Sequence, residues 1–189
     1  LHDALPIFQG NGPLPLITSC SSAWMKYVEQ FYPDMLDNIS TAKSPMSMAS
    51  ALFKSYWAEK MKIDPKKILS VAVMCCTAKK YEAMRPELDV HGMRATDIVV
   101  TTREMGWMIK SAGIDFVNIK EEKPDEPLGL SSGAGVIFGV TGGVMEAAVR
   151  TAYELYTGET LIDIEMADIR GFKGVKEAKI NLDGKELRL

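Results

Sequence analysis

Histidine and cysteine are scarce in this 189-residue chain, and neither a basic tract nor a long apolar run occurs. His2 and His91 stand alone and form no ligand pair, which argues against a zinc site. Three cysteines, Cys20, Cys75 and Cys76, make an odd count in a chain of medium length, so a disulfide framework is not expected. Adjacent cysteines bridge each other only with strain. Reduced thiols in a cytoplasmic setting are therefore the expectation. No stretch is long and apolar enough to span a bilayer, and no signal peptide is visible. Lys plus Arg number 22 against 25 Asp plus Glu, a net charge of -3 that gives nucleic-acid binding little support. What remains is an ordinary globular composition, 47% hydrophobic and 25% charged, sufficient for one domain with a sizeable core.

The most informative segment present is Met74-Cys75-Cys76-Thr77-Ala78-Lys79-Lys80-Tyr81-Glu82. It follows the apolar run Ile68 to Val73, which reads as a buried strand. Two thiols, two ammonium groups and a carboxylate thus leave the end of a strand, where open α/β sheets bind ligands. Metal ligation, a stabilised thiolate and simple packing of small apolar thiols are all compatible with the spacing. The segment Thr18-Ser19-Cys20-Ser21-Ser22 has a similar layout, a polar thiol loop between a strand-like run and a helix. Two such loops at one sheet edge would converge on one ligand, but three sulfurs fall short of the four usual for an iron–sulfur cluster.

Local patterns predict helices from Ala23 to Tyr32, from Ser44-Pro45 to about Lys60, from Thr102 to Ala112 and from Val144 to Tyr156. Strands are expected at Leu14 to Thr18, Asp97 to Thr101, Ile114 to Ile119 and Val136 to Val140. Leu161 to Ile169 and Val175 to Leu182 read as extended, with a hairpin turn at Asp183-Gly184. Alternating strands and helices indicate an α/β fold, a mainly parallel sheet flanked by helices with a C-terminal β-hairpin. The glycine-rich stretch Gly133 to Gly143 has the wrong order for a dinucleotide loop and lacks a P-loop ending. Close helix–sheet packing at Gly142 and Gly143 accounts for it better. Asp163, Glu165 and Asp168 do not share one face of an extended segment, so solvated charge is the simpler reading.

Several ordered motifs resemble the iron-only hydrogenase large subunit. Thr18-Ser19-Cys20-Ser21-Ser22-Ala23-Trp24 resembles its first signature, Thr-Ser-Cys-Cys-Pro-x-Trp, and Met74 to Glu82 its second, Met-Pro-Cys-x-x-Lys-x-x-Glu. Ser40 to Pro45 and Gly135 to Ala148 are similar too. The resemblance implies part of a two-lobed α/β domain holding an H-cluster, a 4Fe-4S cube joined to a two-iron site with CO and cyanide ligands. It implies reversible reduction of protons to dihydrogen, with ferredoxin or NAD(P)-linked partners. It further implies Cys76 as a cube ligand, Cys20 as the thiol that passes protons, and Ser40 on the route to it. Lys79 would donate to a cyanide, Met74 would pack against the two-iron site, and Glu82 would support the loop.

The departures from the family pattern carry information of their own. A cube-ligating cysteine is replaced by Ser21, a harder and less favoured donor. Ser22 and Cys75 stand where the two signatures have proline, and Met46 stands where a polar side chain is frequent. The third signature, with two further cube cysteines, is absent. Residues 9–189 are thus expected to be a partial H-cluster domain truncated at both ends, inactive as a fragment. Residues 1–8, Leu1 to Phe8, are expected to be non-native or disordered, since Ala-Leu-Pro-Ile matches a translated sequencing adaptor and Pro6 breaks a helix. Competing expectations are a hydrogen-sensing relative with low turnover and a non-catalytic iron–sulfur assembly scaffold.

Overall fold

A computed structural model describes residues 11–140, 142–161, 167–168, 174–182 and 185–188. The expected terminal peptide 1–8 and the acidic residues Asp163 and Glu165 lie outside the described residues. Pro15–Gly129 form one compact unit, while Leu130–Leu189 belong to a second.

In the first unit, α1 spans Ser22–Phe31. It buries Val28 completely and leaves an aromatic row of Tyr27, Phe31 and Tyr32 exposed. α2 (Pro45–Leu52) begins as its sequence dictates: Ser44 caps it, accepting from the Ser47 N–H, and Pro45 occupies the first turn where no amide partner is needed. A π-helical turn, Phe53–Trp57, then leads into α3 (Ala58–Met61), so the long predicted helix is one rod with a wide turn inside it. That turn contains Lys54, 3% exposed, whose ammonium donates to the Arg94 carbonyl at 2.6 Å and Asp97 Oδ1 at 2.7 Å. Asp97 Oδ2 in turn accepts from the Ser70 amide at 2.7 Å, which pins the helical rod to the entry of the sheet.

β1 (Val71–Met74) and β2 (Ile98–Thr101) pair in parallel, with Val71 opposite Ile98 and Met74 opposite Thr101. The connection between them starts with α4 (Ala78–Glu82), and both strands therefore deliver their C-terminal ends to the same edge. α5 (Thr102–Ser111) follows β2 without a loop. Its capping box is complete: Thr101 Oγ1 accepts from the Glu104 N–H, and Glu104 Oε2 accepts from the Thr101 N–H at 2.8 Å.

In the second unit, α6 (Gly133–Ile137) precedes α7 (Gly143–Thr157). Val149 of α7 packs with Ile180, supported by Met145, Tyr153 and Leu161. β3 (Ala167–Asp168) pairs antiparallel with β4 (Lys176–Glu177), and β5 (Lys179–Leu182) with β6 (Lys185–Arg188), the expected C-terminal hairpin.

The α/β class is as expected, yet the sheets are smaller than the apolar runs predicted. Val136 to Val140 is not a strand: Gly133–Ile137 is helical, with Ser132 accepting from the Gly135 N–H at its start, and Phe138 to Val140 forms a turn. Ile114 to Ile119 forms turns, and Val117 is 90% exposed; an apolar run becomes a strand only beside a partner, and none pairs with it among the described residues. Leu14 to Thr18 contributes a single bridge, Ile17 beside Ile39. The glycines serve a close approach of two helices rather than of helix and sheet. A Cβ at Gly143 would lie 1.8 Å from the Ile137 carbonyl oxygen, and Gly142 takes φ 77°, a left-handed turn suited to glycine.

Candidate functional site

The site is assembled from three stretches far apart in sequence. The Ile17–Ile39 bridge is the first tie: the Ile17 amide donates to the Asn38 carbonyl and the Ser40 amide to the Ile17 carbonyl, both at 2.8 Å. It sets the chain leading to Cys20 alongside Ser40. Ser19 Oγ then donates to the Ala42 carbonyl at 2.5 Å, which prolongs the pairing. Cys20 and Ser40 are both half-buried.

The second stretch is the turn after β1. Met74 is half-buried, and its carbonyl accepts from Thr102 Oγ1 at 3.3 Å. Cys75 and Cys76 are exposed in the turn, and Lys79 and Glu82 are buried on α4 one turn later. The Lys79 ammonium donates to the Cys20 carbonyl at 2.7 Å and to Glu82 Oε2 at 2.6 Å. One cation therefore joins the two thiol loops. Lys80, by contrast, points outward to an exposed ion pair with Glu104.

Glu82 is the centre of the arrangement. Its Oε2 accepts from Ser22 as well as Lys79, and its Oε1 from Ser44 and, at 2.6 Å, Ser47. Three helices thus meet on one carboxylate: the first residue of α1, the cap and first turn of α2, and the end of α4. Burial pushes the Glu82 carboxyl up, but the hydrogen bonds from Lys79, Ser22, Ser44 and Ser47 outweigh it and hold the group below the usual carboxylate value. An ionised acceptor at this point satisfies all four donors at once.

A cavity of about 210 Å³ opens beside it, lined by Ser19, Ser22, Ser40, Ser44, Glu82 and Arg85 among others. Arg85 closes one side, donating to Glu29 and Glu87, and these carboxylates hold its guanidinium firmly protonated. The exposed wall is more apolar than polar, with Met25, Ala42 and Leu88 set among the hydroxyl and charged groups. Ser21 is exposed at the N-cap of α1 and makes no capping hydrogen bond. Met46 is buried at 8% exposure. Trp24, whose ring opens the aromatic row, keeps its indole N–H buried and without a partner among the described residues.

Sequence reasoning named Cys20, Ser40, Lys79 and Glu82, and they converge on this region. It did not identify Ser22, Ser44 and Ser47 as donors to Glu82. Ser44 and Ser47 carried a signal, since an N-cap and the residue three places on share one end of a helix. Ser22 carried none beyond its replacement of a proline.

Among the described residues no group of three or more His, Cys, Asp or Glu side chains is placed to hold a metal ion. Cys20 is half-buried while Cys75 and Cys76 are exposed, and Ser21 offers an alcohol where a thiolate is expected. These residues by themselves do not fit a complete cube.

The family described as iron only hydrogenase large subunit, C-terminal domain, matches residues 3–189. The chain is 50% identical over 177 residues to the periplasmic Fe hydrogenase large subunit of Nitratidesulfovibrio vulgaris, covering 94% of this chain and 42% of that one. It is 52% identical over 177 residues to the NADP-reducing hydrogenase subunit HndD of Solidesulfovibrio fructosivorans, covering 94% and 30%. A solved HydA(deltaEFG) structure, which concerns stepwise H-cluster assembly, superposes with a TM-score of 0.79 at 45% identity over 95% of this chain and 44% of that one. The chain thus spans less than half the length of these relatives. The expected cytoplasmic location is corrected by the first of them, a periplasmic subunit. Free thiols do not by themselves specify a compartment. No helix among the described residues is long and apolar enough to cross a membrane. Match, identity and superposition agree: the chain belongs to the iron-only hydrogenase large-subunit family, C-terminal domain, whose cofactor is the H-cluster.

Proposed function

We propose that this chain is part of a hydrogenase that reversibly reduces protons to dihydrogen at an H-cluster. The observation that carries the reading is the Lys79 ammonium, which ties the Cys20 carbonyl to the helix that follows Cys76. It supports both thiol loops acting on one group. In this reading Cys76 supplies a thiolate to the cube, and Met74 packs against the two-iron site. Cys20 Sγ is the protein group that holds the proton nearest the reaction, and Ser40 Oγ precedes it, its chain tied to the one leading to Cys20 by the Ile17–Ile39 bridge. Lys79 has one donor left for an anionic ligand after serving Cys20 and Glu82. Glu82 holds the loops in place. Ser21 occupies a ligand position with a poorer donor. The remaining cube ligands come from sequence outside this chain, and residues 9–189 are a partial domain.

Electrons are exchanged with ferredoxin or an NAD(P)-linked subunit. The NADP-reducing relative supports the second choice. The whole gene product, made anaerobically and loaded with the two-iron precursor, tests the reading. CO and CN infrared bands together with hydrogen evolution are the expected result. Cube assembly without those bands refutes it in favour of a scaffold, and bands with weak turnover refute it in favour of a sensor. Hydrogen evolution driven by reduced ferredoxin or by NADPH then identifies the partner class. Amplifying the locus upstream of Gln9 tests whether residues 1–8 are native; an unbroken frame encoding them refutes the adaptor origin.

A further inference from the structure

We propose that Ser22 is a positioning residue, holding the Cys20 loop in register through Glu82; its functional meaning rests on Cys20 being the proton-carrying thiol. Ser22 is the first residue of α1 and is 4% exposed. Proline is favoured at that position because it fixes φ and lacks an amide that would otherwise go unpaired. The signature that this segment resembles has proline there. Serine surrenders that constraint and supplies a hydroxyl, and the hydroxyl is used: it donates to Glu82 Oε2.

The same oxygen accepts from Lys79 at 2.6 Å, and Lys79 donates in turn to the Cys20 carbonyl at 2.7 Å. The loop is therefore held twice against one carboxylate, at the carbonyl of residue 20 and at the side chain of residue 22. With Ser19 Oγ donating to the Ala42 carbonyl, the chain is held on both sides of Cys20. Ser21, between Cys20 and Ser22, has extended backbone (φ -89°, ψ 108°) and no capping hydrogen bond of its own, so its side chain does not share the task. The other Glu82 oxygen is anchored by Ser44 and Ser47, so the acceptor itself is fixed. The hydroxyl latch ties the loop to Glu82, whereas a proline ring would fix only the φ of its own residue. Unlike the ring, it works only while a carboxylate stands at position 82.

Peptide-resolved iodoacetamide labelling of the intact 189-residue chain, kept anaerobic at neutral pH, tests this without any cofactor. Losing a hydrogen bond to a charged acceptor shifts a local opening equilibrium about tenfold. Cys20 labelling is expected to rise by about that factor in Ser22→Ala and Ser22→Pro and to stay within about twofold in Ser22→Thr, which keeps the hydroxyl. Cys75 and Cys76, already exposed, keep their rates in every variant and separate local release from general loosening. Should Ser22→Ala not fold, the Pro and Thr pair carries the test, because proline suits the first helical position. Unchanged Cys20 labelling in the variant lacking the hydroxyl overturns the proposal. So does equal acceleration at all three cysteines, or failure of threonine to preserve the rate. Absence of hydrogenase activity in the loaded gene product would leave this labelling result standing.

Discussion

Replacing Glu82 with glutamine removes the charge on which three helices converge while nearly keeping the shape. In the native chain Oε1 accepts from Ser44 and Ser47, and Oε2 from Ser22 and Lys79. The amide nitrogen of glutamine donates, so whichever oxygen it replaces, two donors lose their acceptor. With the nitrogen in place of Oε2, Lys79, 7% exposed, keeps the Cys20 carbonyl alone; in place of Oε1, Ser44 and Ser47 lose their acceptor and Lys79 keeps an uncharged one. Breaking a buried pair by removing one partner costs about 3–5 kcal/mol. The hydroxyls can turn to other acceptors, which places the expected loss near the lower end, about 3 kcal/mol. The loss is pH-dependent with a definite sign. The Glu82 carboxyl titrates below its ordinary value in the folded chain, so its contribution is complete above the ordinary carboxylate pKa and fades as pH falls through the folded one. Urea unfolding, followed by tryptophan fluorescence and far-UV circular dichroism, checks this at about pH 7 and again at about pH 3. The midpoints of native and Glu82→Gln chains should stand well apart at the first pH and draw together at the second. A difference below about 1 kcal/mol at neutral pH would refute the network as a source of stability, and a gap undiminished in acid would refute its electrostatic origin.

Other sites give independent outcomes. Lys54→Met removes the ammonium shared by Asp97 and the Arg94 carbonyl; Asp97 keeps its bond from the Ser70 amide, so about 2 kcal/mol should be lost in urea unfolding. Thr101→Ala breaks the capping box of α5 and should cost about 1 kcal/mol by the same assay. Glu104, pulled down to about 2 by the Lys80 hydrogen bond and then by the Thr101 amide and hydroxyl, should show that midpoint in a carboxyl NMR titration and move up toward the ordinary range in Lys80→Ala. Gly143→Ala forces a methyl against the Ile137 carbonyl oxygen, and a loss of about 2 kcal/mol or more is expected, read as a lowered thermal midpoint.

How much was legible follows from how local each feature is. The starts of α2 and α5 could be read, α2 because Ser44-Pro45 act on their own helix end and α5 because it follows directly on the strand-like run Asp97 to Thr101; the Thr101–Glu104 capping box was not read. The β1–β2 pair was legible as two strand-like runs in an alternating α/β pattern, but β1 is not the buried strand expected: Val71 and Val73 are exposed. Ile114 to Ile119 misled for the opposite reason: it has the composition of a strand, but strand formation depends on a neighbour supplied by the rest of the fold. Val136 to Val140 misled likewise, since no strand pairs with it among the described residues. Within the site, Lys79 stood out by its place in a motif, whereas the motif was silent about the Cys20 carbonyl that it reaches 59 residues back.

By itself the sequence determined the family membership, the α/β class and the helix starts, because ordered motifs, hydrophobic period and caps depend on residues a few places apart. Only the tertiary structure decided that the hydroxyl at Ser22 and the carboxylate at Glu82, 60 residues apart, share a hydrogen bond, and that Ser44 and Ser47 complete the same acceptor. A polar side chain names its possible partners by chemistry alone. Which partner it receives depends on packing: burial removes water as the competing partner, and only groups that the fold brings within reach can replace it.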